Sequence, residues 1–157
     1  MADLLLEALH DQDIDWLVTA GRQRTLSEDA VLVQQGQLVG DIYIVLSGQL
    51  TSAVIDDQES VLGRAFSALS GNASLEHVLF PLTDGDIFGE ISVLHNSRSP
   101  MVVKAESAST VLAVPQAQLQ AKLAKDLEFA SRLYRVIATL LLDRYEFLLD
   151  KFIYRRG

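Results

Sequence analysis

Phe88-Gly89-Glu90-Ile91-Ser92-Val93-Leu94-His95-Asn96-Ser97-Arg98-Ser99-Pro100 is the stretch on which the fold turns. β-like runs precede and follow it, and polar residues gather here inside an otherwise apolar pattern. Gly89 permits a close backbone approach or a positive φ. The amides from Gly89 to Ser92 would open a single helical turn whose free N–H groups can hold an anion. Glu90 adds one acceptor and Arg98 one bidentate donor. Such a turn suits a ligand carrying hydroxyls and a phosphate. A lone Phe-Gly-Glu is more often only a tight turn with a buried Phe and a solvated Glu, so the surrounding chain has to decide between the two readings.

On the N-terminal side the runs are short, β-like and punctuated by glycine. They are Ala30-Val31-Leu32-Val33, Asp41 to Leu46 and Gln49 to Val54, with Gly36, Gly40 and Gly48 between them. Regularly spaced strands with glycine turns indicate a sandwich or barrel. Asp56-Asp57 reads as a hairpin turn, after which Val61, Leu62, Ala65, Phe66 and Leu69 recur at helical spacing as far as Gly71-Asn72, which predicts an inserted helix. Leu75 to Leu82 returns to strand, and Asp84-Gly85-Asp86 turns the chain into Ile87-Phe88. Val102 to Ala105 and Thr110 to Val114 complete the β-region.

Both ends read as helical. Near the N-terminus Leu5, Leu6 and Leu9 share a face, Asp13 is placed to cap a short helix through Ile14, Trp16 and Leu17, and Gly21 is a C-terminal stop. Beyond the β-region Pro115 suits a first helical turn, Leu119, Leu123 and Leu127 follow at i, i+4 spacing, and Asp126 is placed to cap a long final helix over Leu127 to Tyr154. Along that helix Leu133, Ile137, Leu141, Leu148 and Phe152 form one stripe, while Val136, Leu140 and Phe147 lie on another. A helix covered only by its own barrel needs no apolar residues on a second face, so a homodimer through this helix is expected. The fold class is α+β: an antiparallel β-roll or jelly roll with N-terminal helices and a long C-terminal helix. The pattern shows no repeat or flexible linker, and residues 1–157 read as a single domain.

Composition bounds the function. The chain has 157 residues, 49% hydrophobic and 22% charged, which is enough for a substantial core. Its net charge of −8 opposes nucleic-acid binding. No apolar run approaches the ~20 residues of a membrane span, and the first residues lack a signal-peptide pattern, so no membrane role and a cytoplasmic location are expected. There is no cysteine, hence no disulfide, thiolate metal site or Cys nucleophile. His10, His77 and His95 are scattered rather than set as a ligand pair, so no metal cofactor is expected. Asp84, Asp86 and Glu90 could imitate an acid/base pair, but the turn already accounts for the two aspartates. Ser47 and Ser92 lack a His and Asp pattern, and the chain is not expected to be an enzyme.

Over about residues 14 to 150 the sequence resembles the cyclic nucleotide-binding domain family, the β-roll shared by catabolite-type regulators, kinase regulatory subunits and gated channels. The carriers are Val33-Gln34-Gln35-Gly36, Tyr43-Ile44-Val45-Leu46-Ser47-Gly48 and Gly85-Asp86-Ile87-Phe88-Gly89-Glu90, followed by a strand and a closing helix. The resemblance implies that the Gly-Glu segment is a phosphate-binding cassette. Its amides and an arginine would hold the cyclic phosphate, and its glutamate would accept from the ribose 2′-hydroxyl. Gly89, Glu90, Ile91 and Ser92 match position by position. Counted without a gap, the arginine's place falls on Ser99, with Pro100 where an N–H is expected, and Arg98 stands one place early. A one-residue slip in a strand turns Arg98 to the opposite face, whereas a loop one residue shorter restores its role with Ser99 behind it. The resemblance therefore implies a regulatory or signalling module for cAMP or cGMP, with binding weak or altered, acting through an unidentified protein effector. The alternative is a degenerate, ligand-free dimerisation or protein-interaction module.

Overall fold

The computed structural model describes residues 5, 7–55, 76–90 and 98–154. The inserted helix expected at Val61 to Leu69, and Ile91, Ser92 and His95 of the cassette, lie outside these residues. Helix α1 (Asp11–Ala20) leads into β1 (Arg22–Leu26), β2 (Val31–Val33), β3 (Asp41–Ser47), β4 (Leu50–Ile55), β5 (Glu76–Leu82), β6 (Ile87–Phe88), β7 (Val102–Ala105) and β8 (Ser109–Pro115). Helices α2 (Gln116–Lys125) and α3 (Leu127–Leu149) follow, and a π-helical turn at Asp150–Tyr154 ends the described chain.

The strands form two four-stranded sheets in the orders β1-β8-β3-β6 and β2-β7-β4-β5. Every strand pair in them is antiparallel, as the expected β-roll requires. The period-two alternation of side chains then sorts the first sheet's residues between two cores. Tyr43, Val45, Phe88, Val111 and Ala113 face a core inside the roll, with Val33, Leu50, Phe80, Leu82 and Val103 of the second sheet. Their neighbours Ile42, Ile44, Ile87, Leu112 and Val114 face a second core under the helices, with Leu17, Leu119, Phe129, Leu133, Ile137 and Leu140. Covering on both faces is why these strands read as continuous apolar runs instead of alternating ones.

Local signals account for the helix ends, with corrections. Asp126 accepts from Phe129 N at 3.0 Å and caps α3 as expected. Asp13 is not the cap of α1. It sits one turn inside, behind His10, whose amide donates to Asp13 Oδ2 at 2.9 Å. The buried Asp13 carboxylate also receives both arms of Arg132 on α3, at 2.6 and 2.9 Å. Gly21 does stop α1, but with an extended backbone. The need is for space, because a Cβ there would meet Leu112 at 2.8 Å. Pro115 ends β8 and precedes the first turn of α2. Among the described residues no helix is long and apolar enough to cross a membrane.

Candidate functional site

The turn before the cassette is built by Asp86, whose Oδ2 accepts from Thr83 N at 2.8 Å while Gly85 takes a φ of +85°. Val45 N donates to Asp86 O at 2.9 Å, which brings Ile87 and Phe88 into register with Ile44 and Tyr43. The rings of Phe88 and Tyr43 stack at 6.5 Å. Gly89 follows with a φ of +93°, and a Cβ there would meet the Asp41 carbonyl oxygen at 2.8 Å. Only glycine serves both needs, and the result is to hand Glu90 into the protein.

Glu90 is 2% exposed. Its Oε1 accepts from Arg144 Nη1 of α3 at 2.9 Å, while its Oε2 is buried and has no hydrogen-bond partner among the described residues. Arg144 is itself buried. Its second amino group donates to the Ile87 carbonyl, and its guanidinium lies 4.9 Å from the Phe80 ring centre. Burial pushes the Glu90 carboxyl above its ordinary range, against the pull of the neighbouring guanidinium. Burial also lowers Arg144 from its usual value, opposed by Glu90 and Asp86, and the guanidinium keeps its charge. Arg144, but not Glu90, also lines a cleft of about 180 Å³ with Phe80, Thr83, Asp86, Asp143 and Phe147, among others.

The other end of the cassette returns as an extended segment against the loop after β2. Leu38 and Arg98 form an isolated antiparallel bridge, Gly36 N donates to Ser99 O at 2.8 Å, and Ser99 N donates to Gln37 O at 2.8 Å. Adjacent residues of an extended chain point to opposite faces, and these two do. Arg98 is exposed, with Nη1 donating to the Gly36 carbonyl at 2.9 Å. Ser99 is buried, with Oγ donating to the Met101 carbonyl at 2.6 Å. Segment 38–41 ties the two halves together, since Leu38 pairs with Arg98 and both Val39 and Asp41 adjoin Gly89.

Among the described residues, Glu90 and the Arg98–Ser99 pair offer different chemistry. The free oxygen of Glu90 suits a hydroxyl donor. The guanidinium of Arg98 is turned outward, and the buried Ser99 offers no charge. Sequence reasoning passed over Arg144. The signal was available, because an arginine four residues beyond Leu140 continues the buried stripe of Leu133, Val136 and Leu140, where a cation needs a partner.

Chemically, the arrangement can accept a hydroxyl or exchange one hydrogen-bond donor for another. Among the described residues no group of three or more His, Cys, Asp or Glu could hold a metal ion.

The model of the cyclic nucleotide-binding domain matches residues 23–126, more than half of the chain. The fold is similar to that of the Thermus thermophilus catabolite activator protein, with a TM-score of 0.69 and 20% identity over 89% of this chain and 59% of that one. It is also similar to a cyclic nucleotide-binding domain from Methylobacillus flagellatus, with a TM-score of 0.77 and 14% identity over 99% and 84% of the two chains. The c-di-GMP responsive regulator CLP of Xanthomonas campestris matches with a TM-score of 0.75 and 17% identity over 90% and 62%. The chain therefore spans about three-fifths of each of those two regulators. No curated protein sequence matches it.

Proposed function

The chain belongs to the cyclic nucleotide-binding domain family, and from that premise we propose that it is a single, non-catalytic regulatory module of the cytoplasm that takes cAMP or cGMP weakly or in an altered manner. What supports this reading is Glu90, a fully buried carboxylate with one oxygen unpartnered, held at the family's hydroxyl-accepting position by a glycine turn that no other residue could make. Weakness follows from the other end, where Ser99 stands in the inward place and Arg98 in the outward one. A charge-assisted hydrogen bond contributes about 1.5–3 kcal/mol, so its absence lowers affinity by roughly ten- to a hundredfold. In this reading Gly89, Glu90, Ile91 and Ser92 form the ligand contact. The output passes through α3 to a protein effector. Calorimetric titration with cAMP and with cGMP to millimolar concentration tests this. The expected result is heat with at least one of them, reduced in Glu90→Ala.

A specific observation also favours the second reading, a ligand-free dimerisation module. Tyr134, Ala138, Leu141, Tyr145, Leu148 and Phe152 recur at alternating spacings of four and three along α3 and the turn beyond it. All are exposed except the half-buried Leu148. The spacing suits the seam of a two-helix coiled coil, although Leu148 also packs on the roll's own core and Phe152 lies in the π-helical turn, and a second copy of the chain would close it symmetrically. Light scattering should give a dimer for the wild type and a monomer for Leu141→Glu/Leu148→Glu. A dimer that releases no heat with either nucleotide would select the second reading, and a monomeric wild type would remove the seam from both.

A further inference from the structure

We infer that the apolar slot between α1 and the first sheet is a ligand site apart from the cassette, one that takes a neutral aliphatic molecule of roughly ten to twelve carbons and braces the turn leading into β6. The inference goes beyond the nucleotide-binding reading and does not depend on it.

The slot has a volume of about 370 Å³, inside the roughly 300–1,000 Å³ usual for ligand pockets. Leu9, Leu17 and Val18 line it from the helical side and Ile44, Leu46 and Leu112 from the sheet. It stays open because α1 is pinned at two points. Asp13 holds both arms of Arg132 on α3, and the chain leaves α1 at Gly21, where a Cβ would already meet Leu112 at 2.8 Å. A helix fixed at both places cannot settle onto the sheet, and a space that cannot collapse forgoes packing contacts until something fills it. An apolar cavity of about 150 Å³ accommodates benzene, so this one has room for at least twice as many carbons.

The lining selects the occupant. Val18 and Leu46 are 59% and 41% exposed, and an aliphatic chain entering the slot would cover both. The exposed Asp84 is the charged residue among the described lining, and no Lys, Arg or His accompanies it, so a carboxylate head is repelled and an alcohol is not. The slot also touches the backbone that sets the cassette turn. Gly85 N donates to Val45 O at 2.8 Å and Val45 N to Asp86 O at 2.9 Å, and both Val45 and Gly85 belong to the lining.

Calorimetry with n-hexanol, n-octanol and n-decanol tests the site on the whole chain, with hydrogen exchange as the second readout. Affinity should rise about fourfold for each added methylene, the equivalent of burying it. Bound decanol should slow exchange of the Val45 and Gly85 amides. Asp84→Asn should tighten n-decanoate by about fivefold at low salt and leave decanol unchanged. Val18→Trp, at an exposed position, should fill the slot and abolish the decanol response, and Leu46→Glu, at another, should weaken decanol by about tenfold or more. Three results would each overturn the site: affinity that ignores chain length, exchange at Val45 and Gly85 that decanol leaves unchanged, or a folded Val18→Trp or Leu46→Glu protein that takes decanol as the wild type does.

Discussion

Glu90 and Arg144 make opposite demands on the protein. Each loses hydration on burial, and their attraction offsets that cost only while both are present. Deleting either one leaves an uncompensated charge in the core, whereas replacing both with apolar groups of similar size removes the penalty along with the attraction. Arg144→Met alone should therefore lower the unfolding free energy by about 3–5 kcal/mol, while Glu90→Leu/Arg144→Met should recover most of it. Urea unfolding of the wild type, both singles and the double closes this cycle. A double variant as unstable as the sum of its singles would mean that the two residues contribute independently. Among the described residues Glu90 Oε2 is buried without a hydrogen-bond donor, which adds to the cost of burying the carboxylate.

At the level of elements, α3 is joined to the rest of the chain by two arginines one face apart: Arg144 reaches the cassette, and Arg132 reaches Asp13 on α1. The hydrogen bonds from Arg132 hold the Asp13 carboxyl below its usual value, with burial opposing them. A depressed folded-state pKa means that the contact contributes fully above the unfolded value, about 4, and is lost as pH falls through the folded value. The stability difference between wild type and Asp13→Asn should accordingly be constant near neutral pH and shrink on acidification below about pH 4. A difference that persists unchanged through that range would show that the carboxylate's charge is not what docks α1. Neither arginine contact was legible in the sequence, because each links residues more than fifty positions apart and periodicity reports only local neighbours. What was legible was local. Glycine punctuation marked the strands, Asp126 marked the start of α3, and Gly89 before a carboxylate marked the cassette turn. The two apolar stripes on α3 were seen but divided wrongly. Leu133 and Ile137 are buried with Val136 and Leu140, and it is the distal Leu141, Phe147 and Phe152 that remain exposed. The sequence alone also left the register of Arg98 and Ser99 open, since it depends on which backbone the loop after β2 pairs with.

For the molecule as a whole, ligand affinity and folding stability are linked, because anything that binds only the native state stabilises it by RT ln(1 + [L]/Kd). Ser99 is where this linkage can be tuned. It is buried on the inward face, one residue from the outward Arg98. Ser99→Arg should lower the melting temperature of the free protein, since it buries a cation in place of a hydroxyl that donates to Met101 O. If the position faces the phosphate of a nucleotide whose hydroxyl rests on Glu90, the same substitution supplies the missing charge-assisted bond. Affinity should then tighten by roughly tenfold, the low end of the range for such a bond, because Pro100 still withholds an N–H. Thermal scans against nucleotide concentration separate the two effects. The variant should melt below the wild type without ligand and gain more degrees per decade of cAMP or cGMP, while Arg98→Ala, whose guanidinium lies outside on the Gly36 carbonyl, should follow the wild-type curve. A Ser99→Arg protein that folds but melts at one temperature whatever the nucleotide concentration would place the phosphate elsewhere. A loss of response in Arg98→Ala would put the outward arginine back on the ligand.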